Sequence, residues 1–146
     1  MAPTMLTSAE AVEEAFYDAM RRGDLQAMMA LWSDDDEVIC IHPGGPRLVG
    51  LDAVRASWDS ILSSGAVAIW VAQTKTIGGA VLCVHNVIER ISVQAQRGPQ
   101  TIQCVATNVY VKGPRGWRML LHHAAQAEDS GDAQPQVSVP SGAVLH

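Results

Sequence analysis

The feature that most constrains this chain is a long run, residues 67–125, in which apolar and polar side chains alternate with a period of two. A period of two is typical of β-strands that are buried on one face. Short, turn-rich breaks interrupt the run at 78–79, 97–99 and 113–116. The pattern predicts four strands joined as successive antiparallel hairpins. Their predicted bounds are 67–77, 80–93, 101–112 and 117–125.

The residues before this run predict three helices and a short strand. Thr7 and Glu10 have the spacing of a capping box, and Gly23 is placed to end the first helix. Asp24 can cap a second helix, whose apolar face ends at Trp32. The predicted elements are helices over 7–22, 24–32 and 50–65 and a strand over 37–42, which stops at Pro43-Gly44-Gly45-Pro46.

Helices followed by a long meander predict an α+β fold with the helices gathered on one face of the sheet. The length of 146 residues fits one domain. We place that domain at 1–126 and expect a flexible tail over 127–146, where Asp, Ser, Gly, Pro and Gln dominate. Long twisted strands curl around the helices, so the antiparallel sheet is expected to form a cone with an internal pocket.

Charge and composition exclude several classes of protein. The net charge of −5 repels phosphate backbones, so no nucleic-acid partner is expected. The sequence contains no apolar run of roughly 20 residues. We therefore expect no membrane partner, and a cytoplasmic location. Three cysteines without a C-x-x-C spacing indicate buried, reduced thiols. No phosphate-binding loop or nucleophile elbow is present, and no cofactor is expected.

The last predicted hairpin, residues 108–123, carries a glycine, a tryptophan, alternating apolar residues and a histidine. Together with the paired amino-terminal helices, it resembles the nuclear transport factor two-like superfamily. The likeness covers about residues 8–126 and is greatest to the SnoaL-like group and to the association domain of calmodulin-dependent protein kinase. The resemblance implies a cystatin-like cone. It does not identify a function, because this fold hosts isomerases, dehydratases, transport factors and oligomerisation modules.

The resemblance also implies the polarity of the pocket. Asn86 and Asn108 stand where the kinase association domains carry arginines that point inward. Neutral amides suit a neutral polar ligand better than an anion. The Tyr and Asp pair of the family's isomerases has no clear counterpart in the sequence.

Histidines are the candidate acid/base groups. His122 and His123 are adjacent on a strand and must face opposite sides. The family motif places His123 on the pocket face with Trp117, as a general acid or base or as a core histidine. His42 is expected at the mouth of the cone. Its spacing from the other histidines does not support a metal site, and none is expected.

The predicted strand over 80–93 offers two further polar residues. His85 and Glu89 share a face with Val81, Cys83 and Val87, and we place that face on the outside of the sheet. A mixed apolar and polar outer face is typical of a surface that a two-fold dimer buries. The sequence therefore predicts a homodimer through this face.

Four of the seven aromatic residues are tryptophans, and at least two of them are expected to border the pocket. The predicted ligand-binding residues are Trp32, His42, Trp58, Asn86, Asn108 and His123. The leading hypothesis is a small-molecule-binding domain, with acid/base catalysis on an apolar or neutral polar ligand as one possibility. The alternative is a non-catalytic association module.

Overall fold

The computed structural model describes residues 5–127. Of the predicted tail, 128–146 lie outside the described residues. The elements, in chain order, are α1 (Ala9–Arg22), α2 (Leu25–Met29), β1 (Ile39–Ile41), β2 (Leu48–Val49), α3 (Leu51–Ser63), β3 (Ile69–Ile77), β4 (Leu82–Ala95), β5 (Gly98–Gly113) and β6 (Gly116–Ala127). Three helices and the four long strands are confirmed. Within residues 5–127, no helix combines the length and the apolar character that a membrane span requires.

The six strands form one curled sheet in the order β2-β1-β6-β5-β4-β3. Strands β3 to β6 pair as the predicted antiparallel meander. The α+β cone is confirmed, with one difference in pairing: β1 joins β6 in parallel. Strands β1 and β6 are far apart in the chain, with α3 and the rest of the meander between them. Local alternation of residues cannot reveal a pairing over such a distance. Strand β2 has only two residues, too few to show a period.

The helix ends follow local hydrogen bonding. Ser8, and not the predicted Thr7, caps α1, because its Oγ accepts a hydrogen bond from the Ala11 amide at 3.0 Å. Gly23 ends the helix with φ +63, in the left-handed region that favours glycine. Asp24 caps α2 as predicted. That helix stops at Met29, and Trp32 instead forms a β-bridge with Met119.

The sheet has an inner face, which packs against the helices, and an outer face. Along β4 the buried inner residues are Cys83, His85, Val87 and Glu89, and the outer residues are Val84, Asn86, Ile88 and Arg90. The predicted assignment of this strand was therefore wrong. His85 and Glu89 lie under α1, and Asn86 lies outside. Alternation fixes which residues share a face but not which face packs on the helices.

A β-bulge decides the orientation of the histidine pair. Tyr110 pairs with Met119 and Val109 pairs with Leu121, so Leu120 is the extra residue in β6. The bulge reverses the alternation beyond Met119. His122 is 2% exposed and faces inward, whereas His123 is exposed on the outer face. The predicted inward placement of His123 was wrong for this reason.

Candidate functional site

Three neighbouring strands place a row of polar residues at the centre of the inner face. His85, Asn108 and His122 are successive Cα partners on β4, β5 and β6. The next inner row consists of Val87, Ala106 and Ala124, a valine and two alanines. Short side chains in that row leave room above the sheet for the rings of α1.

Asn108 joins three elements through its amide. Its Nδ2 donates to the Tyr17 hydroxyl at 3.0 Å and to Glu13 Oε1 at 3.4 Å, both on α1. Its Oδ1 accepts from His122 Nδ1 at 2.6 Å. Asn108 is fully buried, and every polar hydrogen of its amide has a partner. The amide therefore fixes the positions of its three neighbours.

Tyr17 and Glu89 form a buried phenol and carboxyl pair. The Tyr17 hydroxyl donates to Glu89 Oε2 at 2.6 Å, and each residue is 2% exposed. No local pattern in the sequence indicates this tyrosine and acid pair, because the partners are 72 residues apart in the chain. Glu89, on β4, supplies the carboxyl group of the pair.

Glu13 connects the row of polar residues to the rim. Its carboxylate accepts hydrogen bonds from the Tyr110 hydroxyl at 3.0 Å and lies 3.1 Å from His85 Nδ1. His85 Nε2 lies 3.3 Å from Glu10 Oε2, and the Glu10 side chain is 68% exposed. This contact brings the polar groups close to solvent at the first turn of α1.

These residues are called the inner cluster below. Its members are Glu13, Tyr17, His85, Glu89, Asn108, Tyr110 and His122. All but Glu13 are at most 2% exposed, and the Glu13 side chain is 12% exposed. The described residues therefore hold the cluster closed to bulk solvent. At the depth of the inner cluster, side chains fill the predicted internal pocket. That a ligand can enter this pocket stays a prediction.

A second group of side chains borders the inner cluster at the carboxyl end of β1. His42 is half-buried, and its ring packs edge-on against Trp58 with centroids 4.8 Å apart. His122 lies 6.0 Å from Trp58 and 4.9 Å from Phe16, centroid to centroid. These four rings, called the ring cluster below, connect the sheet centre to the exposed loop 43–46.

Burial sets the protonation of these groups. It lowers the pKa of His122 to about 3 and also lowers the pKa of His42, so both imidazoles are neutral at pH 7. Burial raises the pKa of Glu89, although the hydrogen bond from Tyr17 acts in the opposite direction. It raises the pKa of Tyr17 and of Tyr110 above the ordinary phenol value. The phenols of Tyr17 and Tyr110 therefore stay protonated at pH 7, and the imidazoles of His122 and His42 stay neutral.

The structure brings together part of the predicted site. Asn108, His42 and Trp58 lie in or beside the inner cluster. Trp32 is 2% exposed beside the start of β6. Asn86 bonds to Thr107 Oγ1 on the outer face, at 3.0 Å, and His123 is exposed there. Trp70 is also outside and 55% exposed.

Five members of the inner cluster were absent from the predicted site: Glu13, Tyr17, Glu89, Tyr110 and His122. The sequence places His85 and Glu89 on the outer face, and the structure places both on the inner face. One signal for α1 was present, because Glu13 and Tyr17 are four residues apart and share a helix face with the apolar stripe. The three cysteines are free and buried, as predicted. Burial raises the pKa of the Cys40 thiol to about 12. Among the described residues, no group of three or more His, Cys, Asp or Glu could hold a metal ion.

Sequence comparison decides the family. The SnoaL-like domain model matches residues 9–127. The chain belongs to the SnoaL-like domain family. No curated protein matches this SnoaL-like chain.

Solved structures similar to this SnoaL-like protein are described in two different ways. One, from Thiobacillus denitrificans, is described as a calcium/calmodulin-dependent protein kinase type II association domain. It is 36% identical, with 86% of this chain and 99% of that chain covered and a TM-score of 0.78. Another, from Streptomyces avermitilis, is described as a dehydratase of the NTF2-like family. It is 26% identical over 81% of this chain and 93% of that chain, with a TM-score of 0.73.

A third structure, the CaMKII hub of S. rosetta, is 20% identical. The similarity covers 80% of this chain and 92% of the hub chain, with a TM-score of 0.66. At this identity the similarity shows the fold alone. The solved structures similar to this chain are thus described in one case as an enzyme and in two cases as association or hub domains.

Proposed function

We propose that this SnoaL-like domain binds a small uncharged molecule at the inner cluster and acts on it by acid/base chemistry. The observation that supports the proposal most is the burial of two carboxyl and two imidazole side chains in one connected network. Burying such groups costs stability, and an apolar core of similar volume would avoid that cost. Titratable groups clustered in the concavity of a fold are typical of functional sites.

The charges of the site disfavour an anionic ligand. Glu13 and Glu89 supply carboxyl groups, and none of the hydrogen bonds that arginines make among residues 5–127 reaches the inner cluster. Arg21, for example, donates to the Ile69 carbonyl at 3.0 Å. An anion would enter without a cationic partner and close to carboxylates. Asn86 lies on the outer face and takes no part in this preference.

The chemical roles follow from the hydrogen bonds. The Tyr17 hydroxyl accepts from Asn108 and donates to Glu89, and a ligand carbonyl that displaces the Glu89 carboxyl would receive this hydrogen bond. Glu89 is the group able to take or give a proton, because burial raises its pKa toward neutrality. His122 is the second candidate base, in place of His123.

A ligand screen with matched variants tests this proposal. Thermal-shift measurements with uncharged hydrophobic metabolites are expected to identify compounds that stabilise the wild type. Glu89→Gln and Tyr17→Phe keep the side-chain volumes and are expected to weaken that stabilisation. Glu14→Gln, exposed on the same helix, and His123→Ala, on the outer face, serve as controls. The proposal fails if no compound stabilises the wild type, or if the four variants bind alike.

We also propose that two copies associate through the outer face of the sheet. A continuous apolar row crosses all six strands through successive Cα partners. Its members are Ile77, Val84, Val109, Leu121, Ile39 and Val49. A second apolar row contains Ala72, Ile88, Val105 and Ala125. Large exposed apolar surfaces on soluble domains are typical of interaction sites.

The partner proposed is a second copy of the chain. The similar protein from Thiobacillus denitrificans is described as an association domain, which supports self-association here. The sequence also predicts a dimer through the outer face, but it assigns Cys83 and Val87 to that face. In the structure Val84 and Ile88 lie there, and Cys83 and Val87 face inward.

The solution mass tests self-association. We expect a dimer at micromolar concentration and a monomer for Val109→Asp, since a charge would enter the buried interface. Ala56→Asp, exposed on α3, is the control and should stay dimeric. A monomeric wild type would contradict the proposal. A larger ring would favour the pure association module over the ligand-binding domain.

A further inference from the structure

Asn108 fixes the tautomer of His122. The Asn108 Nδ2 donates to Tyr17 and Glu13, so the Oδ1 must be the atom that faces His122. An amide oxygen only accepts, and His122 Nδ1 therefore carries the ring proton across the 2.6 Å contact. Because His122 is neutral, its Nε2 is left without a proton and with a free lone pair.

Ser57 fixes the opposite tautomer in His42. The only hydroxyl hydrogen of Ser57 is donated to the Val54 carbonyl at 2.7 Å. The contact of 3.0 Å between Ser57 Oγ and His42 Nε2 therefore needs a hydrogen on the imidazole. In the neutral ring this leaves Nδ1 as the bare nitrogen. The two imidazoles, whose centroids are 6.4 Å apart, thus hold their protons on opposite nitrogens.

Trp58 adds an unused donor to the same place. Its indole Nε1 is buried, has no nitrogen or oxygen partner among the described residues, and has only the Cys40 sulfur, a weak acceptor, beside it. A buried donor without a partner costs roughly 1–3 kcal/mol. The Trp58 ring contacts His42 directly, at a centroid distance of 4.8 Å. The ring cluster therefore contains two imidazole acceptors and one indole donor that no nitrogen or oxygen atom of the described residues uses.

We propose that the ring cluster of Phe16, His42, Trp58 and His122 binds the hydroxyl or N–H group of an uncharged ligand, with Ser57 and Asn108 as the positioning residues. This inference rests on the proposed function and specifies its ligand. A hydroxyl can donate to one bare imidazole nitrogen and accept from the indole N–H. A carboxylate would meet two lone pairs, and a purely apolar molecule would leave all three groups unpaired. Half-buried His42, next to the exposed loop 43–46, gives the route of access.

Nitrogen NMR of the imidazoles tests the two tautomers without any ligand. The wild type is expected to show His122 protonated at Nδ1 and His42 protonated at Nε2. Asn108→Leu is expected to release the His122 tautomer, and Ser57→Ala the His42 tautomer, whereas Ser60→Ala on the same helix changes neither. Ser57→Ala keeps the test valid if Asn108→Leu does not fold. A wild-type His122 protonated at Nε2, or a wild-type His42 protonated at Nδ1, would overturn the inference and leave the proposed function standing.

Three ring-matched compounds, phenol, toluene and benzoate, test the ligand class. Phenol is expected to bind about threefold to tenfold more tightly than toluene, as one or two neutral hydrogen bonds would give. It should also shift the signals of both bare nitrogens, and benzoate should shift neither. Equal binding of toluene, or tighter binding of benzoate, at the ring cluster would overturn the inference alone. If these three compounds and the metabolite screen all leave the inner cluster unperturbed, the proposed function fails as well.

Discussion

His122 Nδ1 donates to Asn108 Oδ1 at 2.6 Å, and this hydrogen bond exists because of the bulge at Leu120. Without the extra residue in β6, the regular alternation would turn His123 inward and His122 outward. An irregularity of the backbone thus places the imidazole that completes the inner cluster. The register between β5 and β6 therefore determines which imidazole belongs to the site.

Replacement of Asn108 should destabilise the fold more than replacement of any outer-face amide. Asn108→Leu leaves His122 Nδ1–H without an acceptor and removes the donors to Tyr17 and Glu13. We expect the free energy of unfolding in urea to fall by about 2–4 kcal/mol. Asn86→Leu loses hydrogen bonds at the half-buried outer face, and a change within about 1 kcal/mol is expected. Equal losses for the two variants would show that the inner hydrogen bonds of Asn108 stabilise the fold no more than the outer ones of Asn86.

The sequence was sufficient to predict the elements but not the faces. Alternation located β3 to β6 within a few residues, because each strand is bounded by glycine or proline turns. It also showed that His122 and His123 must face opposite sides. The face that each one takes depends on the bulge at Leu120, and a period of two carries no sign of an inserted residue.

The inner cluster could not be predicted from local patterns, because its contacts join distant parts of the chain. Tyr17 is 72 residues from Glu89 and 91 from Asn108. Among the members of the inner cluster, the sequence predicts a site role for Asn108 alone, since an amide on an apolar strand face requires a partner.

The amino-terminal cap of α1 gives a test of a single hydroxyl. Ser8→Ala removes the acceptor of the Ala11 amide, and a loss of about 1 kcal/mol in the free energy of unfolding is expected. Thr7→Ala, at the exposed residue that the sequence favoured as the cap, should change it by less than about 0.5 kcal/mol. A larger loss for Thr7→Ala than for Ser8→Ala would show that Thr7 is the cap.

Gly116 should tolerate no side chain. Its φ is +93, and a Cβ there would lie 2.5 Å from the Leu6 carbonyl oxygen, which also accepts from the Trp117 amide. We expect Gly116→Ala to cost roughly 1–3 kcal/mol of stability, measured by thermal or urea unfolding. Gly113, at the other side of the same turn, has its nearest atom 4.0 Å from such a Cβ. Gly113→Ala should therefore stay close to wild type, and a similar loss in both variants would contradict this explanation.

Acid should weaken the fold through His122. Burial lowers the pKa of His122 from the ordinary value of 6.5 to about 3. Between these two pH values the unfolded chain binds a proton that the folded chain does not. The contribution of His122 to stability is therefore complete above pH 6.5 and is lost as the pH falls. The slope for one such group approaches about 1.4 kcal/mol per pH unit. His122→Asn keeps a donor toward Asn108 and removes the titration, so its urea unfolding at pH 6.5 and 5 should show a smaller loss than wild type. His123→Asn, at the exposed neighbour, should retain the wild-type slope. Equal slopes for the two variants would show that the buried imidazole does not control acid stability.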